Sequence, residues 1–147
     1  MVVVVQRVLR ASVSLKGDPA SARSIGRGFA LLVGVTAGDG EEEARRMAAQ
    51  VARVRLMDGP DGRMGLCLKD AGAEVLAVSQ FTLLADFSKG ARPSFHKAAK
   101  AEEARPIFEL FVRLLGEAVG REVGTGFFGE DMEVAIINDG PVTVVLY

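Results

Sequence analysis

The chain has no tryptophan, one tyrosine, one histidine and one cysteine among its 147 residues, and each scarcity closes off a class of chemistry. A single cysteine forms no intrachain disulfide, and in Leu66-Cys67-Leu68 a small buried thiol is the expected reading. One cysteine and one histidine also exclude a zinc cage of the Cys/His kind, so neither metal nor other cofactor is expected. A serine or cysteine triad needs an imidazole beside its nucleophile. The only imidazole is His96, in Ser94-Phe95-His96-Lys97, read as a surface residue at the start of a basic helix, and no Gly-x-Ser-x-Gly elbow accompanies it. Long apolar runs are missing too. Met1-Val2-Val3-Val4-Val5 stops at Gln6 and Arg7, too short for a signal segment or a membrane span. The expectation is a reduced, cytoplasmic protein with no membrane partner.

Neither sign of charge dominates: 18 Lys and Arg face 19 Asp and Glu, for a net charge of −1. Bulk charge names no partner, but its distribution is uneven. Residues 1–38 carry Arg7, Arg10, Lys16, Arg23 and Arg27 against Asp18 alone. Residues 87–101 carry Lys89, Arg92, Lys97 and Lys100 with no acid, and residues 122–147 carry five acids with no base. Such segregation allows one basic face able to meet phosphates, as well as a plain set of solvated charges.

What is plentiful is apolar: 49% of residues are hydrophobic and 25% charged, enough for a sizeable core and too much for disorder. Val2–Val8 suits a strand covered on both faces, and Ser12–Leu15 alternates before a turn at Lys16-Gly17-Asp18-Pro19. Gly28–Val35 and Val75–Ser79 are further apolar strands. Asp39 reads as a helix N-cap partnered by Glu42, and apolar spacing then predicts a helix over 41–56. Ile107, Leu110, Phe111, Leu114 and Ala118 mark a second helix, which admits Pro106 only in its first turn. Closing strands are predicted at Met132–Ile137 and Val142–Leu146, hinged at Asn138-Asp139-Gly140-Pro141. The chain reads as one α/β domain over residues 1–147, with roughly seven strands and two main helices.

Gly124-Thr125-Gly126-Phe127-Phe128-Gly129 matches Gly-x-Gly-x-x-Gly, yet it leads into an acidic strand instead of opening a helix, and is read as a turn-rich connection. Asp86 and the Glu130-Asp131-Glu133 group have no spacing that separates a catalytic role from a solvated edge. Two segments stand out. Ser79-Gln80-Phe81-Thr82-Leu83 places polar groups where a buried strand ends, either a ligand-presenting end or an ordinary terminus. Asn138-Asp139-Gly140-Pro141-Val142-Thr143 is either a tight turn or an unusual backbone, which a Gly-Pro pair tolerates best.

Both segments, at this separation, resemble the signatures of the D-aminoacyl-tRNA deacylases of the bacterial and eukaryotic type. Met1–Val8 with Ala11-Ser12-Val13, Lys89–Phe95 and Phe128–Met132 fall in register with that family, so the likeness spans the chain. It implies a layered sandwich of mixed, largely antiparallel β-sheets. It implies hydrolysis of the ester between a D-amino acid and tRNA, with glycyl-tRNA as a further candidate substrate. It also implies a homodimer in which a Gly140-cis-Pro141 motif enters the partner subunit's active site, where its carbonyls hold the substrate amino group and exclude L-side chains. Ser79, Gln80, Phe81 and Thr82 are then the catalytic segment, with backbone amides near Phe81 and Thr82 assisted by the tRNA's own 2′-hydroxyl. Met132 lines the pocket, and Lys89, Arg92, Lys97 and Lys100 contact tRNA phosphates. Two stretches depart from the family pattern, Arg63–Cys67 and the loop Asp18–Ala22. Two other readings are a tRNA-binding module without hydrolysis and a related proofreader of achiral or L-aminoacyl-tRNA.

Overall fold

Val2–Leu15 forms one 14-residue strand, β1, in the computed structural model, which describes residues 1–147. In chain order there follow β2 (Asp18–Ile25), β3 (Gly28–Gly34), α1 (Glu41–Arg53), β4 (Met57–Asp58), β5 (Met64–Leu66), β6 (Glu74–Ser79), α2 (Ala101–Val119), β7 (Gly124–Thr125) and β8 (Met132–Leu146). Antiparallel β8 runs along one edge of β1, from Val3 opposite Leu146 to Leu15 opposite Met132. The other edge is shared between two antiparallel partners, β3 beside Val2–Val8 and β2 beside Ala11–Leu15. β6 adds to β3 in parallel, and β7 adds to β6 in parallel. β4 and β5 form a separate small hairpin. The chain is thus the expected α/β sandwich of mixed, largely antiparallel sheet with two helices.

The β1–β8 ladder slips between Val8, opposite Asn138, and Arg10, opposite Ile137, which leaves Leu9 as an extra residue. One inserted residue inverts the alternation of side chains between faces. Val3 and Val5 therefore join Phe29, Leu31, Met47 and Phe111 in the core beneath the helices, whereas Val8, Ala11 and Val13 pack with Ile25, Leu76 and Val78 on the opposite face. Val2 and Val4 are only half-buried, so the valine run is fully covered on one face rather than both. α1 turns Ala44, Met47, Ala48 and Val51 to the helix-side core, and α2 adds Ala104, Phe108, Phe111, Leu115 and Val119 at helical spacing.

Several boundaries differ from the sequence reading. The expected loop after Leu15 shrinks to Lys16-Gly17, and Asp18–Ile25 continues as a strand at the sheet's edge, the position where Pro19 is tolerated. Gly40, not Asp39, caps α1: the Glu43 carboxylate accepts from the Gly40 N–H at 2.8 Å, while Asp39 accepts from the Met1 ammonium at 2.6 Å. α1 ends at Arg53 because Val54 turns extended toward β4. α2 begins at Ala101, six residues ahead of Ile107, so Pro106 lies in its second turn and removes one helical hydrogen bond. The two expected closing strands are one, β8, interrupted opposite β1 between Asn138 and Thr143.

Candidate active site

β3 and β6 run parallel as far as Val33 opposite Ser79, and the Gln80 N–H extends the ladder by donating to the Val33 carbonyl at 2.8 Å. The carboxyl ends of parallel strands are where open sheets commonly present ligand groups. Here the chain turns directly into a 3-10 helix, Phe81–Leu84, whose first N–H groups have no acceptor within the turn. Beside it lies a cavity of about 680 Å³, within the ~300–1,000 Å³ typical of small-ligand sites. Its lining includes Val33, Val35 and Val78 from the sheet, Ser79, Gln80 and Phe81 from the strand end, Phe95 and Lys100, and Phe128 and Met132. Phe81 meets Phe95 edge-on with ring centroids 5.0 Å apart, and Phe128 leans on Phe108 at 5.8 Å. Edge-to-face aromatic pairs hold such a wall in a defined geometry.

The β7–β8 connection closes the cavity's other side. Met132 Sδ accepts a hydrogen bond from the Phe127 N–H at 3.2 Å and packs where a Cβ on Gly126 would come within 2.8 Å. Arg23 braces this connection, donating to the Thr125 carbonyl at 2.9 Å with its guanidinium 4.1 Å from the centre of the Phe127 ring. Arg105 does the same for Phe128 from α2, 4.8 Å from the ring centre. Arg7 is buried and Arg27 leans on the Asp58 carbonyl. Arg7 is therefore spent inside the molecule, while Arg23 and Arg27, both at the surface, are engaged with backbone carbonyls.

The segment 85–100 forms the remaining rim, and Asp86 organises it. The backbone of Asp86 pairs with Ser94 in both directions, at 2.8 and 2.9 Å. Its carboxylate accepts from the Ser88 N–H at 2.8 Å and faces the Lys97 ammonium at 3.1 Å. The Ser88 amide and hydroxyl, followed by Lys97, hold the Asp86 carboxyl well below the usual carboxylate range. His96 is not on a helix, as expected from sequence, but in this irregular segment, with Nδ1 3.0 Å from Ser94 Oγ and Nε2 3.8 Å from the Asp86 carboxylate.

A family model described as D-Tyr-tRNA(Tyr) deacylase matches residues 4–147. The chain belongs to the D-Tyr-tRNA(Tyr) deacylase family. It is 48% identical to the D-aminoacyl-tRNA deacylase of Chlorobium limicola over 143 residues, 97% of this chain and 94% of the relative. It is 44% identical to that of Bacteroides thetaiotaomicron over 146 residues, 99% of this chain and 96% of the relative. Among solved structures it superposes on the c-Myc DNA unwinding element binding protein with a TM-score of 0.92 and 36% identity, covering 100% of this chain and 98% of the other. A probable eukaryotic D-amino acid tRNA deacylase, at 15% identity, shares the fold with a TM-score of 0.85 over 99% of this chain and 97% of its own.

Within this family member, Ser79, Gln80, Phe81, Met132 and Lys100 share the one cavity. Thr82 stands exposed beside it, its hydroxyl oxygen accepting from the Gln80 side-chain amide. Lys89 and Arg92 are exposed on the adjoining loop, and Lys97 is already paired with Asp86. Gly140 and Pro141 lie outside the cavity, in the interruption of β8 opposite the middle of β1, joined by a cis peptide bond. Glu130 and Asp131, which their spacing alone left undecided between a catalytic role and a solvated edge, are among the residues lining the cavity. Sequence reasoning assigned no role to Phe95 or Phe128 in the cavity wall. Their signal was an aromatic beside each basic or glycine-rich stretch, visible only once the fold folds both stretches over Ser79. No helix is long and apolar enough to cross a membrane.

Proposed function

We propose that this protein hydrolyses the ester joining a D-amino acid to the 3′-terminal ribose of tRNA, releasing both, in the cytoplasm where tRNA is charged. The observation that carries the reading is the convergence of Ser79, Gln80 and Phe81 with Met132 on one largely apolar cavity, in a chain matching the deacylase family along nearly its whole length. An aminoacyl ester is already activated, so holding it and stabilising the oxyanion supplies much of the needed rate. The N–H groups of Phe81 and Thr82 are the proposed oxyanion donors, and the substrate's neighbouring 2′-hydroxyl assists the attack. Thr82 is not the nucleophile in this scheme. Its oxygen already accepts from Gln80 and no imidazole adjoins it, so Thr82→Ser retains activity.

Chirality is assigned to Gly140 and Pro141 of a second copy, whose carbonyls hold the substrate's ammonium group and fill the space an L-side chain needs. Rigid main chain excludes by shape and leaves the D-side chain unread. Glycyl-tRNA, with no side chain to exclude, is a second expected substrate. The dimer is supported by β8, which pairs with β1 alone and leaves Val134, Ile137 and Val145 about two-fifths exposed, at 39%, 43% and 44%. A long apolar strand with a free edge is an invitation to pairing. Deacylation of matched D- and L-tyrosyl-tRNA tests the whole reading. Hydrolysis of the D form alone is expected. Cleavage of the L form points to a proofreader of other aminoacyl-tRNAs, and binding without cleavage to a tRNA-binding module.

A further inference from the structure

Phe87 is 56% exposed, yet hydrogen bonds fix the backbone on either side of it. On one side Asp86 is fixed to Ser94 by two backbone hydrogen bonds, and on the other the Ser88 N–H donates to the Asp86 carboxylate at 2.8 Å. The Phe87 carbonyl itself accepts from the Gly90 N–H at 3.1 Å, closing a turn in which Gly90 has a φ of 130°. The ring makes no aromatic contact within the chain. The Asp86–Ser94 bridge sets Phe87, next after Asp86, beside the segment that carries Phe95, next after Ser94 and the residue that walls the cavity against Phe81. Lys89 and Arg92 follow the ring in sequence, and both are exposed without an ion-pair partner. A pre-positioned aromatic with two unpaired cations is the chemistry that grips unpaired nucleotides: a base stacks on the ring and phosphates meet the charges.

We propose that Phe87 is a stacking platform for the single-stranded 3′ end of the tRNA, taking a nucleotide that precedes the one whose ester enters the cavity. The proposal rests on the aminoacyl-tRNA reading above and deepens it, by dividing substrate recognition between the cavity and a rim that reads nucleotides irrespective of the amino acid. Fixing the loop beforehand lowers the ordering cost of binding, so a single ring contributes fully.

The test compares a long and a short substrate. For Phe87→Ala, KM on D-tyrosyl-tRNA rises about fivefold or more, the range alanine substitution shows for one stacked base. The ratio of kcat/KM on D-tyrosyl-tRNA to that on 3′-O-D-tyrosyl-adenosine, which lacks the preceding nucleotides, falls by the same factor. Phe87→Tyr restores it. An unchanged ratio, whether through no loss or through equal loss on both substrates, overturns the proposal. A second readout exploits the absence of tryptophan from this chain. In Phe87→Trp, indole fluorescence is quenched by deacylated tRNA and not by tRNA trimmed of its unpaired 3′ nucleotides. Equal quenching by both, or none, again overturns it. Wild-type protein inactive on every aminoacyl-tRNA defeats the parent reading instead, and the fluorescence comparison then decides the platform alone.

Discussion

Arg7 donates from Nε to the backbone carbonyl of Asp139 at 3.1 Å and lies 3.4 Å from the Asp139 carboxylate. The same guanidinium donates through Nη1 to the Leu56 carbonyl at 2.9 Å and to Asp58 Oδ1 at 2.8 Å. One buried cation thereby joins the middle of β1, the start of the β4–β5 hairpin and the interruption in β8. Gln6 pairs with Thr143 and Val8 with Asn138, so Asp139–Val142 face Arg7 alone across the ladder. A Cβ on Gly140 would come within 3.4 Å of Arg7 Nη2 and 2.8 Å of a Val142 methyl, at a φ of 126° that L-residues avoid. The Gly140–Pro141 tip is therefore held from beneath by Arg7 and shaped by the one residue type its backbone accepts.

Arg7→Ala strands the Leu56 carbonyl and two carboxylates. Removing one partner of a fully buried pair costs about 3–5 kcal/mol. Asp58 and Asp139 keep 31% and 26% of their side-chain surface in water, so the expected loss is nearer 2–3 kcal/mol. Arg7→Lys preserves charge without the planar fork and is expected to recover less than half of it. Urea midpoints at constant m-value measure both. A lysine variant equal to wild type would mean that charge alone holds the tip.

How far the residues announce this arrangement depends on whether a signal is local. The α/β class, both helices and the position of Ser79 at a strand end follow from periodicity, since Ile107, Leu110, Phe111 and Leu114 recur at helical spacing and Val75–Val78 form a short apolar run. Of that expected α2 stripe, however, only Phe111 is fully buried, and Phe108, Leu115 and Val119 take the core face instead. What was not legible was non-local. The bulge at Leu9 that inverts β1 has no residue signature, because its cause is the register of β8, more than a hundred residues away. Arg7 looked like a surface base in a basic segment, and only the meeting of β1, Leu56 and Asp139 reveals a buried one. Asp39 carries the right residue type for a cap and loses the position to Gly40 because the Met1 ammonium claims its carboxylate. In the site, Ser79–Phe81 and Met132 were found through the family resemblance, whereas periodicity alone left that segment undecided.

Asp86 supplies a pH dependence with a definite sign. Its carboxyl is held below the ordinary range in the folded loop, chiefly by the Ser88 amide and hydroxyl and then by Lys97. A depressed folded value stabilises above the unfolded value of about 3.9 and is lost as pH falls below it. The loop is thus expected to keep its order from pH 8 to pH 5 and to slacken only below about pH 4. Asp86→Asn keeps an acceptor for Ser88 but loses the attraction to Lys97. Amide exchange at Ser88 and Ser94 should be faster in this variant at neutral pH, with the acid-driven step gone. Unchanged protection at neutral pH would show that the backbone bridge alone closes the loop.

The basic rim makes a prediction that separates its members. Each phosphate contact contributes about 0.7–0.9 to the slope of log K against log salt. Lys89 and Arg92 are free, whereas Lys97 is already 3.1 Å from Asp86. Lys89→Ala with Arg92→Ala should flatten the slope for tRNA binding by about 1.4–1.8, and Lys97→Ala by distinctly less. Lys100→Ala, at the cavity's lip, is expected to cost one full contact. Equal effects of Lys97 and Lys89 would mean that tRNA displaces Asp86 from its partner.

Gly126→Ala tests the coupling between the β7–β8 connection and the cavity. The added methyl would stand 2.8 Å from Met132 Sδ and 3.5 Å from both methyls of Val78, while the Gly126 N–H remains bound to the Ala77 carbonyl at 3.0 Å. The backbone cannot retreat without breaking that bond, and Val78 is buried in the opposite-face cluster. Met132 is the flexible partner, and moving it takes the sulfur from the Phe127 N–H it accepts at 3.2 Å. The displaced side chain intrudes on the cavity it lines. Overpacking and the orphaned N–H together are expected to cost about 1–3 kcal/mol. A fall in kcat/KM on D-tyrosyl-tRNA of about tenfold should accompany it, beyond any loss of folded protein. Met132→Ala in the same chain removes the clash, so the double variant should be more stable than the sum of the singles by at least about 0.5 kcal/mol. Additive effects in that cycle would place the strain on Val78 and leave the cavity's shape independent of the connection.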